Sequence, residues 1–400
     1  MKPWIAALAL ALVGMSPLAV GAQGIKVSVP LADLEQAART DSTDVIAQYN
    51  LAIGYWSKKR WAEVDSMLDR AIQLEPRFAL AYLAKSYLPF ARDRKLLEKV
   101  LDDDVPAGQL EELAESDRLY RQAFFYNPMV DLRIMGAVTP GKWYGWSAYP
   151  ELASFFETWI QGFEDFRDGE YEGAYRRFDR MVERYTSVGR RTLDRVPADI
   201  LWMQALAAAR LGKFDVALMN GREVVARHER TERERETQTR LTYAPMRANE
   251  YRYVLGVLYA AANHPDTAIA LFQETLEHDI GAYMAHVQLA SLFEQRGQLR
   301  IALEQRRAAL AANPEDPTSA IELAITLTKV GEGVEAEAVL AETARTNPLN
   351  PRAHYLLGIL RQQLGKPVEA RTALEAFLTI CPSRFTQEAQ DARARLASLP

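Results

Sequence analysis

Residues 249–282, NEYRYVLGVLYAAANHPDTAIALFQETLEHDIGA, set the pattern, and residues 283–316, YMAHVQLASLFEQRGQLRIALEQRRAALAANPED, repeat it 34 positions later. Two further segments, beginning at Pro317 and Pro351, fall into the same columns. The small-residue column reads Gly256, Ala290, Ala324, Gly358, and the apolar column before it reads Leu255, Leu289, Leu323, Leu357. Three residues after the small column come Tyr259, Phe293, Leu327 and Arg361. Spacings of three and four put these residues on one stripe of a first helix, and the small residue admits a close neighbour. Gly297, Gly331 and Gly365 then mark a reversal, where the first copy has Asn263 before Pro265. A second helix follows, with Ala268, Ala302, Ala336, Ala370 and then Phe272, Arg306, Leu340, Leu374 facing inward. Arg306 is the one misfit. Asn313-Pro314, Asn347-Pro348 and Cys381-Pro382 close the units, because proline stops a helix and holds its predecessor extended.

This pattern resembles the tetratricopeptide repeat, whose members carry Leu-Gly and Tyr on helix A, Ala and Phe on helix B, and Pro at the end. The likeness covers residues 246–382, a regular array of four repeats. It implies an all-α fold: a right-handed superhelical solenoid of antiparallel helix pairs, with a capping helix over residues 383–400. Neighbouring repeats in such an array bury a continuous core that no single repeat could close. The resemblance also implies a concave groove lined by helix A that holds a protein or peptide partner.

By that resemblance the groove columns are Tyr253, Val287, Ile321 and Tyr355, then Val257, Ser291, Ile325 and Ile359, with Tyr49, Ile53 and Trp56 in an N-terminal copy. Most of these are apolar. The family's cytosolic members that grip acidic chaperone tails carry Lys and Asn there, and this chain does not. An amphipathic helix or an extended apolar peptide is the expected ligand.

Towards the N-terminus the repeats degenerate. Residues 1–22 read as a cleaved signal peptide: Lys2, an apolar run from Trp4 to Met15, and small residues before Ala22. The apolar run is shorter than a membrane crossing requires. The expected location is therefore periplasmic or secreted. A lead-in segment spans 23–43, and degenerate repeat-like helices with an insertion span 44–128, where Val64 and Lys59 stand in for the family's Ala and Gly. Asp102, Asp103 and Asp104 within the insertion lack the glycine and closing glutamate of a calcium loop. Residues 129–150 mix Gly136, Pro140, Gly141 and Gly145 with Trp143, Tyr144, Trp146 and Tyr149, an aromatic loop that would either pack against adjacent helices or take up a glycan or peptide. Divergent helical repeats fill 151–245.

The chemistry of sites is sparse. The single cysteine, Cys381, permits no intrachain disulfide. The five histidines form no HExxH and no metal-spaced pair. No phosphate-cradling glycine motif occurs. Neither cofactor nor metal is expected, and the chain reads as no enzyme. With a formal net charge of -5 and mixed signs in the Glu223–Arg240 run, no nucleic acid is expected. The function that follows is a non-catalytic exported scaffold in bacterial envelope assembly or secretion. The alternative is a glycan-binding accessory of polysaccharide export that uses Trp143, Tyr144 and Trp146.

Overall fold

The computed structural model describes residues 29–93, 96, 107–127, 158–159, 161–162, 165–166, 169–186, 193, 196–236 and 248–399. Among these every regular element is helical. The signal-peptide residues and the 129–150 loop lie outside them.

Two compact units emerge, one built around Tyr82–His278 and one joining Ser28–Ala81 with Asp279–Pro400. The second holds the later three repeats of the regular array, and the first repeat belongs to the first unit. Its N-terminal part comprises α1 (Leu31–Thr40), α2 (Val45–Ser57) and α3 (Trp61–Leu74), which lead into α4 (Ala79–Ser86). The first unit continues with α5 (Leu88–Arg92), α6 (Ala107–Tyr126), α7 (Tyr171–Thr186), α8 (Ala198–Arg210), α9 (Phe214–Glu236), α10 (Ala248–Ala261) and α11 (Pro265–His278). The array of the second unit then runs through α12 (Tyr283–Gln295), α13 (Leu299–Ala312), α14 (Pro317–Lys329), α15 (Gly333–Thr346), α16 (Pro351–Gln363), α17 (Pro367–Ile380) and α18 (Thr386–Ser398). From α12 onward each helix packs on the next, so the fold is a helical solenoid of paired helices.

The starts of these helices follow from local chemistry. Asp44, Asp316 and Asn350 sit extended at N-caps, and their side chains accept from Ile46, from Thr318 and Ser319, and from Ala353. Pro317, Pro351 and Pro367 occupy the first helical turns, where no amide donor is missed.

The turn between paired helices is one motif used repeatedly. At Gly297 the amide donates to the Glu294 carbonyl at 3.0 Å, and the next amide, of Gln298, reaches back to Phe293 at 2.9 Å. Gly331 and Gly365 repeat both bonds, and so do Gly169 and Gly212 in the other unit. This double bond satisfies the last carbonyls of the first helix and needs a left-handed residue at the bend. The carbonyl that receives the bond from five residues on belongs to the column Tyr259, Phe293, Leu327 and Arg361, so the column that packs the repeat also ends its first helix.

Lys59 and Asn263 make the same turn without glycine, at φ of 59° and 60°. Asparagine tolerates that region, whereas a lysine there carries roughly 1–2 kcal/mol of steric cost. Lys59 is exposed and can be replaced freely. Lys59→Gly is therefore expected to stabilise the protein by about 0.5–1 kcal/mol, after the added freedom of the unfolded chain is deducted. A rise in the urea midpoint at unchanged slope would show it; a fall would mean the lysine makes a compensating contact.

Close approach explains the small-residue column. A Cβ on Gly256 would stand 2.7 Å from the ring of Phe272, and one on Gly358 would stand 2.6 Å from Leu374. Helix A therefore lies directly on the helix B residue that was expected to face inward. The same closeness recurs between α7 and Gly162, whose added Cβ would meet Phe178 at 2.8 Å.

Candidate functional site

The helix A faces of α12, α14 and α16 lie side by side in the second unit, and their columns contain more charge than the apolar stripe alone suggests. Arg306, on α13, is buried to 6% exposure in the helix B column that elsewhere holds Phe272, Leu340 and Leu374. Its guanidinium cannot rest unpaired there. It donates through Nη1 to Glu322 Oε2 at 2.8 Å, through Nε to Glu294 Oε1 at 3.3 Å, and through Nη2 to Ser291 Oγ at 3.2 Å.

The network extends from both carboxylates. Thr326 Oγ1 donates to Glu294 at 2.7 Å, and Lys329 Nζ donates to its other oxygen at 2.6 Å. Glu322 also receives Arg77, 3.3 Å away, from the turn that follows α3. Arg77 in turn donates twice to Asp316 Oδ2, from Nε at 3.0 Å and Nη2 at 2.8 Å, and from Nη2 to Ser319 Oγ at 2.8 Å. Six charges thus alternate in sign along one row: Asp316, Arg77, Glu322, Arg306, Glu294, Lys329.

Burial pushes the Glu294 carboxyl up, but the bonds from Lys329 and Thr326 and the charge of Arg306 outweigh it, so its pKa lies below the usual glutamate range. Burial likewise opposes the charge on Arg77, yet Asp316 and Glu322 more than offset it and hold the guanidinium above its ordinary value. Both shifts favour the charged forms of these two groups.

A second set of contacts joins the same N-terminal hairpin to the end of the array. The Ser383 amide donates to Asp41 at 2.8 Å, and Arg384 pairs with Asp44 at 3.5 Å and Glu75 at 3.4 Å. Of these partners Glu75 is more exposed than either partner of Arg77, and Asp44 is as exposed as Glu322.

The structure places the groove residues as follows. Tyr49, Trp56, Tyr253, Val287 and Ile321 are buried, while Val257, Ile325, Tyr355 and Ile359 are half-buried. Tyr49 meets Phe78 edge-on at 5.4 Å, and Trp56 meets Trp61 at 5.6 Å. In the first unit Tyr253 lies under α6: its ring is 5.4 Å from Phe125, its hydroxyl donates to the Phe125 carbonyl at 3.3 Å, and Arg121 pairs with Glu250 beside it. Tyr355 packs on Phe377 at 5.0 Å and donates to Asp391 of α18 at 2.7 Å. Burial and that bond to a carboxylate push its phenol up to about 12. Tyr253 and Tyr355 are therefore covered by the chain's own α6 and α18, while Ile325 and Ile359, one repeat apart in the same column, stay half-buried.

The charged row was missed because it is assembled from three helices and one turn far away in sequence. Its one sequence signal was Arg306 standing where its repeat-mates are apolar. Trp143, Tyr144 and Trp146 lie outside the described residues. Among the described residues no group of three or more His, Cys, Asp and Glu side chains is placed to hold a metal, and no helix is long and apolar enough to cross a membrane. His286, in the helix A column, bonds Gln305 at 2.8 Å through Nδ1.

Residues 322–385 match the family profile described as tetratricopeptide repeat. Among solved structures, one of MamA RS-1 is similar at 17% identity and a TM-score of 0.38, over 47% of this chain and 97% of that one. A tetratricopeptide repeat protein from Parabacteroides merdae is similar at 16% identity and a TM-score of 0.38, over 80% and 97%. The repeat domain of P58(IPK) aligns with 98% of each chain at 14% identity and a TM-score of 0.25. No curated protein matches the sequence.

Proposed function

We propose that this tetratricopeptide repeat protein is a non-catalytic, exported scaffold that binds a protein or peptide partner on its helix A faces and serves bacterial envelope assembly or secretion. The fold itself points to protein–protein interaction. The observation that carries the finer reading is the pairing of half-buried Ile325 and Ile359, one repeat apart, alongside a fixed row of charges on α12 and α14. Apolar anchors give such a surface affinity, and adjacent charges give it register and partner choice. The export half of the reading is supported by the sequence of residues 1–22.

The test uses the mature chain as bait in periplasmic extract, against a variant carrying Ile325→Ser with Ile359→Ser. Serine is tolerated in that column, since Ser291 already occupies it on α12. A partner retained by the native bait is expected to fall at least tenfold with the variant while circular dichroism stays unchanged. Equal capture by both baits would reject the groove.

A further inference from the structure

We propose that Asp316, Ser319 and Glu322 form an arginine-recognition pocket on α14, that Arg77 sits in it as an internal ligand, and that an arginine of the partner's bound segment replaces it. This deepens the scaffold reading, on which it rests, by naming the residue through which a partner anchors.

The pocket is built without Arg77. Asp316 is the N-cap of α14: Oδ1 accepts from the Thr318 amide at 3.0 Å, and Oδ2 accepts from the Ser319 amide at 3.3 Å and the Ser319 hydroxyl at 2.9 Å. Glu322 is held from the other side by Arg306. Both carboxylates are therefore fixed by α13 and α14 themselves, and the site keeps its form when the occupant leaves. Without the occupant, three carboxylates face two cations, and the row is left with an unmatched negative charge.

The fit is to a guanidinium. Nε, Nη1 and Nη2 of Arg77 are all engaged, spread between Asp316 and Glu322, and the Tyr283 ring stands 5.9 Å from the guanidinium carbon. A planar fork can reach both carboxylates at once, whereas an ammonium is a point charge that satisfies one at a time. The occupant also arrives from outside the array: Arg77 lies 239 residues before Asp316, in a connecting turn next to Pro76. Besides the Ser383–Asp41 bond, the hairpin meets the array through the pairs of Arg384 with Asp44 and Glu75, where Arg384 and Glu75 are exposed enough for salt to screen them. A tethered occupant competes at a high effective concentration, so a partner must add contacts elsewhere on the face to displace it.

The experiment uses the full mature chain and N-acetyl-arginine amide as probe, with N-acetyl-lysine amide as control, read by titration calorimetry and thermal shift. In Arg77→Ala the arginine probe is expected to bind saturably and raise the melting midpoint, at least tenfold more tightly than the lysine probe. The native chain, its pocket filled, is expected to bind at least tenfold more weakly than the variant. Adding Asp316→Asn to Arg77→Ala keeps an N-cap of equal quality while removing the charge, and should abolish the response. If Arg77→Ala does not fold, Arg77→Lys retains a cation and should still bind the arginine probe more tightly than the native chain does. No binding to a folded variant, or equal binding of both probes, overturns the pocket. Neither result touches the scaffold reading, because the probe engages nothing at Ile325 or Ile359.

Discussion

Replacing Arg306 by alanine is expected to cost about 3 kcal/mol of stability. The substitution removes the one cation that lies between Glu294 and Glu322, and it leaves both carboxylates in a partly desolvated position. Breaking a buried pair from one side costs roughly 3–5 kcal/mol, and the lower edge applies because Glu294 and Glu322 retain Lys329 and Arg77. Restoring the repeat-mates' side chain does not help by itself: Arg306→Leu fills the column but leaves the same orphaned charges. The triple change Arg306→Leu, Glu294→Gln, Glu322→Gln is expected to recover most of the loss, since uncharged amides tolerate the site. Urea unfolding followed by circular dichroism measures all three. A loss below about 1 kcal/mol for Arg306→Ala would mean the row behaves as an exposed surface pair.

Phe272→Ala is expected to be the more damaging single change, about 4 kcal/mol. The ring is fully buried, and it rests on Gly256 and against Tyr253 at 5.7 Å. Phe-to-Ala truncations in cores cost about 3–5 kcal/mol, the spread reflecting how far the site can collapse. Here the facing residue has no side chain to move into the hole, which argues for the upper half. The coupling between the two positions is separately measurable. Gly256→Ala alone overpacks the site, by about 1–3 kcal/mol, yet alanine facing leucine is the native pairing of Ala324 with Leu340. Combined with Phe272→Leu, the glycine change should therefore cost less than the sum of the two singles, as a double-mutant cycle would record. Strict additivity would show that Gly256 and Phe272 do not share a constraint.

The paired-helix fold was legible because each repeat states its own packing rules within 34 residues. The Leu and Gly columns, the turn glycines and the closing prolines are all local signals, and local signals decide local structure. What could not be read was where those repeats meet segments hundreds of residues away. Tyr253 reads as a groove residue by its column, but its ring is taken up by Phe125, which no periodicity links to it. Tyr355 is similarly committed to Asp391. Arg306 was visible as an exception, but its meaning depended on Glu294 and Glu322, one helix before and one after. An exception in a column that otherwise repeats is the sequence feature most worth following into three dimensions.

The contacts of Arg77 with Asp316 and of Asp41 with Ser383 also bear on how the protein comes apart. A stack of repeats behaves as a one-dimensional chain of nearest neighbours, so its ends can fray while the middle stays folded. Bonds between residues 239 and 342 positions apart reduce that independence, because loosening the first hairpin costs its bonds to the later repeats as well. Cooperativity then becomes a property of the closure rather than of the repeats, and the same long-range pairing raises the contact order and slows folding. A unit built from interchangeable parts is in this way made to unfold as one.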